Sequence, residues 1–415
     1  MNYDVVFFTL FRTDNPYSSI SLAMAKELAR TNRVFYVNHP YSLKDLLRGL
    51  FSGDRAFWSR LPALLTGRVR YETLDTIPRN FLAVQPPLTL PINWLPEGRM
   101  YDCLQRFNNR VILRAIRLVL RDYGVSNYLY INCYDPFFAG VLPKDMGAAR
   151  CLYHCIDDIT QDPYTARHGA RLENETIRNA DITLVTGTHL RRLKTGLTLP
   201  ERLVPFFNAV DLDIFEKARL EKYHRPVELK GRQGKVVGFI GNLDALRIDY
   251  TLLKKVAEAH PDKTILLVGP VNSVELRQKG IDQLPNVVCT GARQPADLPP
   301  LLQHMDCTLI PFRCNALTQS IYPLKINEYL AAGKPVVSTA FSEDIRNFAD
   351  CIYLADSHDV FIRQIDTALS ENDPDLIRRR IKTAQANTWS ARIRQLREVV
   401  ERHADIHHHF SMETI

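Results

Sequence analysis

The chain has 415 residues, 46% of them apolar and 24% charged, with a formal net charge of +7. That length is long for one core, since domains usually hold about 100 to 200 residues, and the apolar-to-charged balance excludes disordered and fibrous classes. The basic excess is dispersed, without the dense runs of a nucleic-acid binder, so it suits an anionic ligand or a lipid surface and argues against nucleic acid as a partner.

The N-terminal MNYDVVFFTLF carries an apolar run, but Asp4 precedes it, no basic stretch leads it and no small-residue cleavage site follows. It is expected to be a strand and not a signal. No window reaches the roughly 18 uninterrupted apolar residues of a membrane span. SSISLAMAKELAR has helical spacing through Ile20, Met24 and Leu28, and RVFYVN is a second apolar run, which together make a βαβ unit. Residues 42–70, SLKDLLRGLFSGDRAFWSRLPALLTGRVR, mix Leu, Phe and Trp with basic residues and interrupt that rhythm. Two readings are open: peripheral contact with the anionic inner face of the cell membrane, using Arg48, Arg55 and Arg60, or an insertion whose apolar residues pack on its domain. QPPLTLPINWLP is a Pro-punctuated loop.

The runs YLYINC, CLYHCI and ITLVTG, separated by helical segments, complete a Rossmann-like parallel sheet covered by helices on both faces. After NAVDLDIF and a polar stretch the sheet restarts with VVGFIGN, TILLVGP, NVVCTG, CTLIPF and PVVST. The expected domains are therefore residues 1–206 and 207–388, both Rossmann-like, with a C-terminal helix over 389–415 that crosses back toward the first. Eight cysteines lie dispersed in apolar contexts, which predicts reduced core thiols and a cytoplasmic protein. The THL at 188–190 and the HHH at 407–409 have no chemical context and read as structural or solvated.

The most informative stretch is SIYPLKINEYLAAGKPVVST, residues 320–339. It lies between two strands, so a helix from about Pro323 to Ala332 presents its N-terminus at the carboxyl edge of the sheet, where open α/β sheets bind ligands. Pro323 suits the first turn and Gly333 the stop. Lys325 and Glu328 share a face apart from the core face of Ile326, Tyr329 and Leu330. The preceding loop, Arg313 to Tyr322, is longer than the usual two to six or so residues of a βα loop. It brings Arg313, Thr318 and Ser320 to a helix N-terminus suited to a diphosphate. Lys325 can then neutralise phosphate, and Glu328 can accept hydrogen bonds from a ribose. The competing reading is a surface ion pair of a few tenths of a kcal/mol.

PLKINEYLAAGKPVVST, with NAVDLDIF, GFIGNLDALRIDYTLL and LLVGP, resembles the GT-B glycosyltransferases, especially the bacterial branch that builds cell-surface polysaccharides. The resemblance implies two Rossmann-like domains with a central cleft, a UDP- or GDP-sugar donor on the C-terminal domain, a saccharide or lipid-linked acceptor on the N-terminal one, and no metal or other cofactor. Many relatives carry two glutamates eight positions apart; Glu328 matches the later, and Ser320 stands at the earlier. Relatives also place an Arg and a Lys after the domain's first strand, where this chain has Asn242 and Arg247. The resemblance thus assigns Gly241, Asn242 and Arg247 to the phosphates, Gly291 and Arg293 to the nucleobase, and Arg313 and Lys325 to the diphosphate charge; the alternatives are a simple tight turn at Gly241 and Asn242 and generic loop residues at Gly291 and Arg293.

In the N-terminal half CLYHCIDDITQD concentrates His154, Asp157 and Asp158. A zinc site lacks a second ligand pair. In the resemblance this loop faces the acceptor, whose hydroxyl Asp157 or Asp158 would orient or deprotonate; the alternative is helix capping. No G-x-G-x-x-G follows the first strand of either half, which argues against a nicotinamide enzyme. A GT-B sugar epimerase or a silent relative is the remaining alternative function.

Overall fold

The computed structural model describes residues 3–14, 19–51, 53, 55–74 and 77–412, with side chains through His403 apart from Ala56. Packing divides it into two compact units, residues 1–186, 190–206 and 393–415 in the first, and 187–189 and 207–392 in the second. The histidines at 407–409 fall outside the described side chains.

The first unit holds β1 (Asp4–Thr9), β2 (Val34–Val37), β3 (Arg70–Glu72), β4 (Phe81–Gln85), β5 (Tyr128–Cys133), β6 (Arg150–Cys155), β7 (Ile182–Val185) and β8 (Leu203–Pro205). They form one eight-stranded sheet in the order β3-β4-β2-β1-β5-β6-β7-β8. Only β3 runs antiparallel to its neighbour. The apolar runs at β1, β2, β5 and β7 are buried along nearly their whole length, as expected of parallel strands covered on both faces. The covering helices include α1 (Ile20–Ala29), capped by the Ser19 side chain, the long α4 (Arg99–Asp122), and α5 (Pro163–Asn179), which Asp162 caps through two amides with Pro163 in its first turn.

Residues 42–70 form two helices, α2 (Leu43–Gly49) and α3 (Arg55–Thr66). A capping box between Ser42 and Asp45 opens α2. Tyr41, Phe57 and Leu64 make a small buried cluster, with Leu46 and Leu61 against it, so the inner faces of both helices pack on their domain. Arg60 is not a surface cation, as the membrane reading required. Its guanidinium is 3% exposed, lies 2.9 Å from Glu72 on β3, and is also bonded to Asp14. Burial works against its charge, but the two carboxylates outweigh that and keep it cationic. A basic amphipathic pattern cannot distinguish a solvated arginine from one that clamps a helix to a strand.

The second unit repeats the design with β9 (Val236–Ile240), β10 (Thr264–Val268), β11 (Val287–Cys289), β12 (Cys307–Ile310), β13 (Val336–Thr339) and β14 (Tyr353–Ala355). The order β11-β10-β9-β12-β13-β14 reverses direction between β9 and β12, and all pairs are parallel. In the first unit the same reversal falls between β1 and β5. These are the switch points where crevices form outside the strands' carboxyl ends. Arg380, fully buried, forms a bidentate pair with Glu371 at 2.6 Å for each bond and so holds the helix Pro374–Ala386. No helix among the described residues is long and apolar enough to cross a membrane.

Arg60→Ala would leave two carboxylates with their shared cation removed, and the expected loss is about 3 to 5 kcal/mol. Urea unfolding followed by the fluorescence of Trp58 and Trp94 checks it. A midpoint equal to that of the parent would show the triad to be dispensable.

Candidate active site

In the second unit the pairing of β9 with β12 is confined to Cys307–Val237 and Thr308–Gly238. Beyond it the strands diverge, and the hydroxyl of Tyr329, from α6 (Leu324–Ala331), closes the gap. It accepts from Ile240 N at 2.8 Å and sits 3.3 Å from Ile240 O. Gly241 follows directly. The backbone of Gly269, after β10, approaches so closely that a Cβ there would fall 1.9 Å from Gly241 O, at a φ of +143 that only glycine adopts readily. Gly269 N donates to Gly291 O at 3.0 Å, and Leu243 N to Pro270 O at 2.9 Å. The loops after β9, β10 and β11 are thereby laced into one floor of main chain.

The loop after β12 joins the same floor. Arg313 N donates to Arg247 O at 2.7 Å, and Asp249 N to Pro311 O at 2.9 Å. This segment is not an open loop, because Asn315 and Thr318 form a capping box for a short helix, Ala316–Gln319. Thr318 also donates to Arg313 O, and both Thr318 and Ser320 are fully buried. Their side chains brace the turn and do not face a ligand, which corrects the reading that placed them at a phosphate. Arg313 is likewise committed: it donates to Ile248 O at 2.8 Å and pairs with Glu275 at 2.7 Å. Arg293 pairs with Glu228, which leaves the main chain around Gly291 as its possible contact surface. Asn242 accepts a bond from Asn272 at 3.1 Å, and Arg247 lies 3.2 Å from Asp244.

Lys325 and Glu328 are paired at 2.9 Å, and Glu328 is 4% exposed. This is not the solvated pair of the bland reading. The Lys325 stem reaches Gly241, its Cε lying 3.5 Å from where a Cβ on that glycine would be, so the ammonium stands at the end of β9. No side chain caps α6, whose N-cap is Pro323; Ile326 N donates to Pro323 O at 3.3 Å, and the amides of Leu324 and Lys325 are left without intrahelical partners. Nearby, Val271, Asn272, Val274, Arg277 and Cys289 line a cavity of about 460 Å³. A cation, free amides and glycine backbone in one place can hold a diphosphate.

In the first unit His154 is fully buried on β6, with Nδ1 3.4 Å from Cys133 Sγ and the ring edge-on to Phe206. Burial lowers its pKa to about 3, so it stays neutral. It cannot serve an acceptor, which corrects the catalytic reading. Asp158 is 8% exposed and bonds Thr160 N, Thr160 Oγ1 and Gln161 Nε2 as the cap of a helical turn, which is the capping alternative. Asp157 is half-buried after β6. Among the described residues no group of three or more His, Cys, Asp or Glu is placed to hold a metal.

One pair was not anticipated. His39, after β2, and Asp135, after β5, meet with Nδ1 2.7 Å from Oδ2. Asp135 is fully buried. Its turn contains the two non-glycine residues of positive φ among those described, Tyr134 at 62 and Ala139 at 43, each costing on the order of 1–3 kcal/mol. The available signal was a His-Pro and an Asp-Pro each following a predicted strand.

Residues 234–371 match the sequence profile of the family Glycosyl transferases group 1. Over 204 residues the chain is 30% identical to TuaH of Bacillus subtilis (strain 168), named for a glycosyltransferase of teichuronic acid biosynthesis; the match covers 48% of this chain and 51% of that protein, so the chain spans about half the length of this curated relative. Among solved structures, a sucrose-phosphate synthase from Thermosynechococcus elongatus aligns with a TM-score of 0.65 at 15% identity, over 96% of this chain and 98% of the other. HepE from Anabaena, solved in complex with UDP and glucose, aligns at 0.60 and 15% identity over 96% and 100%. WaaG, a glycosyltransferase of lipopolysaccharide biosynthesis, aligns at 0.56 and 17% identity over 97% and 99%. At such identities the likeness concerns the fold, two parallel-sheet α/β units in the GT-B arrangement of strands. The chain thus has the GT-B fold, and its residues 234–371 are similar in sequence to the glycosyl transferases group 1 family.

Proposed function

We propose that this chain is a glycosyltransferase that moves a sugar from a UDP- or GDP-sugar to a saccharide or lipid-linked acceptor in bacterial cell-surface polysaccharide assembly. The observation that carries the reading is the Lys325–Glu328 pair at the end of β9, beside Gly241 and the first turn of α6. Lys325 and the free amides of α6 meet the diphosphate, whose negative charge grows as the bond to the sugar breaks. Arg247, on the adjoining loop, adds a second cation. Glu328 exchanges its contact with Lys325 for the vicinal hydroxyls of a ribose. The group 1 match, the name of the B. subtilis relative and the UDP and glucose held by HepE support this reading.

The same proposal places the chain at an anionic membrane surface, with α2 as the contact. Its outer face and the turn that ends it are apolar and solvent-exposed, with Leu43 and Leu47 (62% exposed) on the helix and Leu50 and Phe51 (92% exposed) just after it. Lys44 and Arg48 flank that face and form no ion pair among the described residues. An amphipathic helix of this kind seats its apolar face at the headgroup boundary, with the cations against acidic lipid.

Melting curves with UDP, GDP and ADP test the donor site, because a ligand at a hundred times its dissociation constant adds about 2.7 kcal/mol. No shift with any of the three would sink the assignment. In turnover, Lys325→Ala is expected to lower kcat roughly 10²- to 10³-fold, whereas Glu328→Gln chiefly raises the donor KM. Unaltered turnover in Lys325→Ala would return the pair to a structural role. For the membrane contact, Lys44→Gln and Arg48→Gln should each weaken sedimentation with phosphatidylserine vesicles about fivefold at low salt, at about 1 kcal/mol per charge. Equal binding by a double variant would count against α2.

A further inference from the structure

At the amino end of the second unit's sheet, where β9, β12 and β13 begin, lies a cavity of about 810 Å³ whose wall carries Arg219, Arg225, Lys235 and Lys334 against two carboxylates, Asp306 and Glu371. Gly333 and Lys334, which follow the last turn of α6, belong to that wall, so the cavity stands at the opposite end of the helix from the first turn beside Gly241. From this geometry we propose that the cavity binds a phosphate monoester, with the dianion against Arg225 and Lys334 and the organic part against Ala332, Leu369 and Ile377. Such a site is separate from the donor edge and does not depend on what that edge binds.

Two of the cations are left over. Asp306 is spent on Lys235 Nζ at 3.0 Å and on Val236 N at 2.8 Å. Glu371 accepts both bonds from Arg380 and one from the Tyr353 hydroxyl at 2.7 Å. Arg219 pairs with Glu216 at 3.3 Å, and its Nε is screened from solvent without a partner. Arg225 and Lys334 meet no carboxylate among the described residues. Two carbonyls hold Arg225, through Nε to Leu229 O at 3.3 Å and Nη2 to Arg232 O at 3.1 Å, so the guanidinium is fixed in place while its charge is not neutralised. Lys334 Nζ donates to Gln303 O at 2.8 Å, at the end of the helix Leu298–Gln303, and two of its three protons remain for another acceptor. A helix end carries roughly half a negative charge, so that carbonyl offsets the ammonium only in part.

The surroundings favour an oxyanion. Burial holds the Lys334 pKa below the usual lysine value, against the pull of Asp306 and with Lys235 adding to the effect. That ammonium is poorly hydrated and gains the more from an anion beside it. On the same wall the amides of Gly234 and Lys235 make no hydrogen bond among the described residues. Gly234 has a φ of +84, the left-handed conformation in which successive amides form an anion-binding concavity. A phosphate monoester carries a charge of about −1.5 to −2 at pH 7 and three strong acceptor oxygens, which suits two uncompensated cations and two unused amides. The rest of the wall includes Ala332, Leu369 and Ile377, the last 40% exposed. Free phosphate would leave that apolar surface in water, whereas the organic part of an ester covers it.

Calorimetric titration of the full chain with phenyl phosphate tests the site. Binding should weaken about tenfold or more in Arg225→Gln and in Lys334→Gln, the scale of one charge-assisted hydrogen bond. It should survive in the double variant Lys325→Ala, Arg247→Gln, which removes the cations of the donor edge. Inorganic phosphate should compete, but bind more weakly than the ester, and phenol should not compete. Arg225 is exposed, so Arg225→Gln carries the test even where Lys334→Gln does not fold. A parent that does not bind phenyl phosphate overturns the inference, as does undiminished binding by Arg225→Gln. Loss of binding in the double variant would move the ester to the donor edge and overturn it too. Competition by phenol would reduce the cavity to an apolar pocket, and phosphate binding as tightly as the ester would overturn the ligand class.

Discussion

The divergence of two neighbouring strands governs this molecule. Where a parallel sheet reverses its order, the strands on either side of the reversal send their connections to opposite faces, so their carboxyl ends part and expose backbone. At β9 and β12 that exposure would leave the amide and carbonyl of Ile240 unsatisfied, and the Tyr329 hydroxyl supplies both partners. The residue that repairs the sheet thus belongs to the helix that carries Lys325 and Glu328. Sheet integrity and placement of the charged pair are one mechanical fact, because the turn of helix that positions Tyr329 also sets where the lysine stands.

Chemistry at this edge is built from main chain to an unusual degree. Gly241, Gly269 and Gly291 bring three loops into contact without side chains. The polar residues around them, Asn315, Thr318 and Arg313, are spent on holding the turn. Beside the backbone stand the Lys325 ammonium, the Arg247 guanidinium held by Asp244, and the buried Glu328 carboxylate. In the first unit the balance is the reverse: aromatic side chains line a cavity at the sheet's edge, and the His39 imidazole on its wall is backed by a sealed carboxylate.

Much of the fold was legible because strands buried on both faces read as unbroken apolar runs, and the Pro323 and Gly333 punctuation delimited α6. Three of the four three-residue strands, β3, β8 and β14, were not legible, whereas β11, equally short, was read from the apolar run NVVC. β4 was hidden by the prolines that follow it. Lys325 and Glu328 could be found because charge on a helix between two apolar strands is locally anomalous. Thr318, Ser320 and Arg313 do lie in the segment after β12, but Thr318 and Ser320 turn inward and Arg313 pairs with Glu275, because sequence shows that a polar residue is in a loop and not which way it turns. Arg60 and His154 failed for a related reason: burial is decided by partners distant in sequence. His39 and Asp135, 96 residues apart, could be paired only by the sheet order.

The bare floor formed by Gly241, Gly269 and Gly291 has a consequence for selectivity. If this floor holds the donor as proposed, amide groups and glycine backbone register the charge and width of a diphosphate, a feature shared by all nucleoside diphosphate sugars. They carry no information about which base or which sugar is attached. Discrimination must therefore reside in side chains at the rim, such as the exposed Leu246, Val271 and Val274, whose replacement disturbs neither strand nor core. Such a scaffold separates the part that recognises the activating group from the part that chooses the cargo, so the range of donors can drift while the sheet beneath remains unchanged.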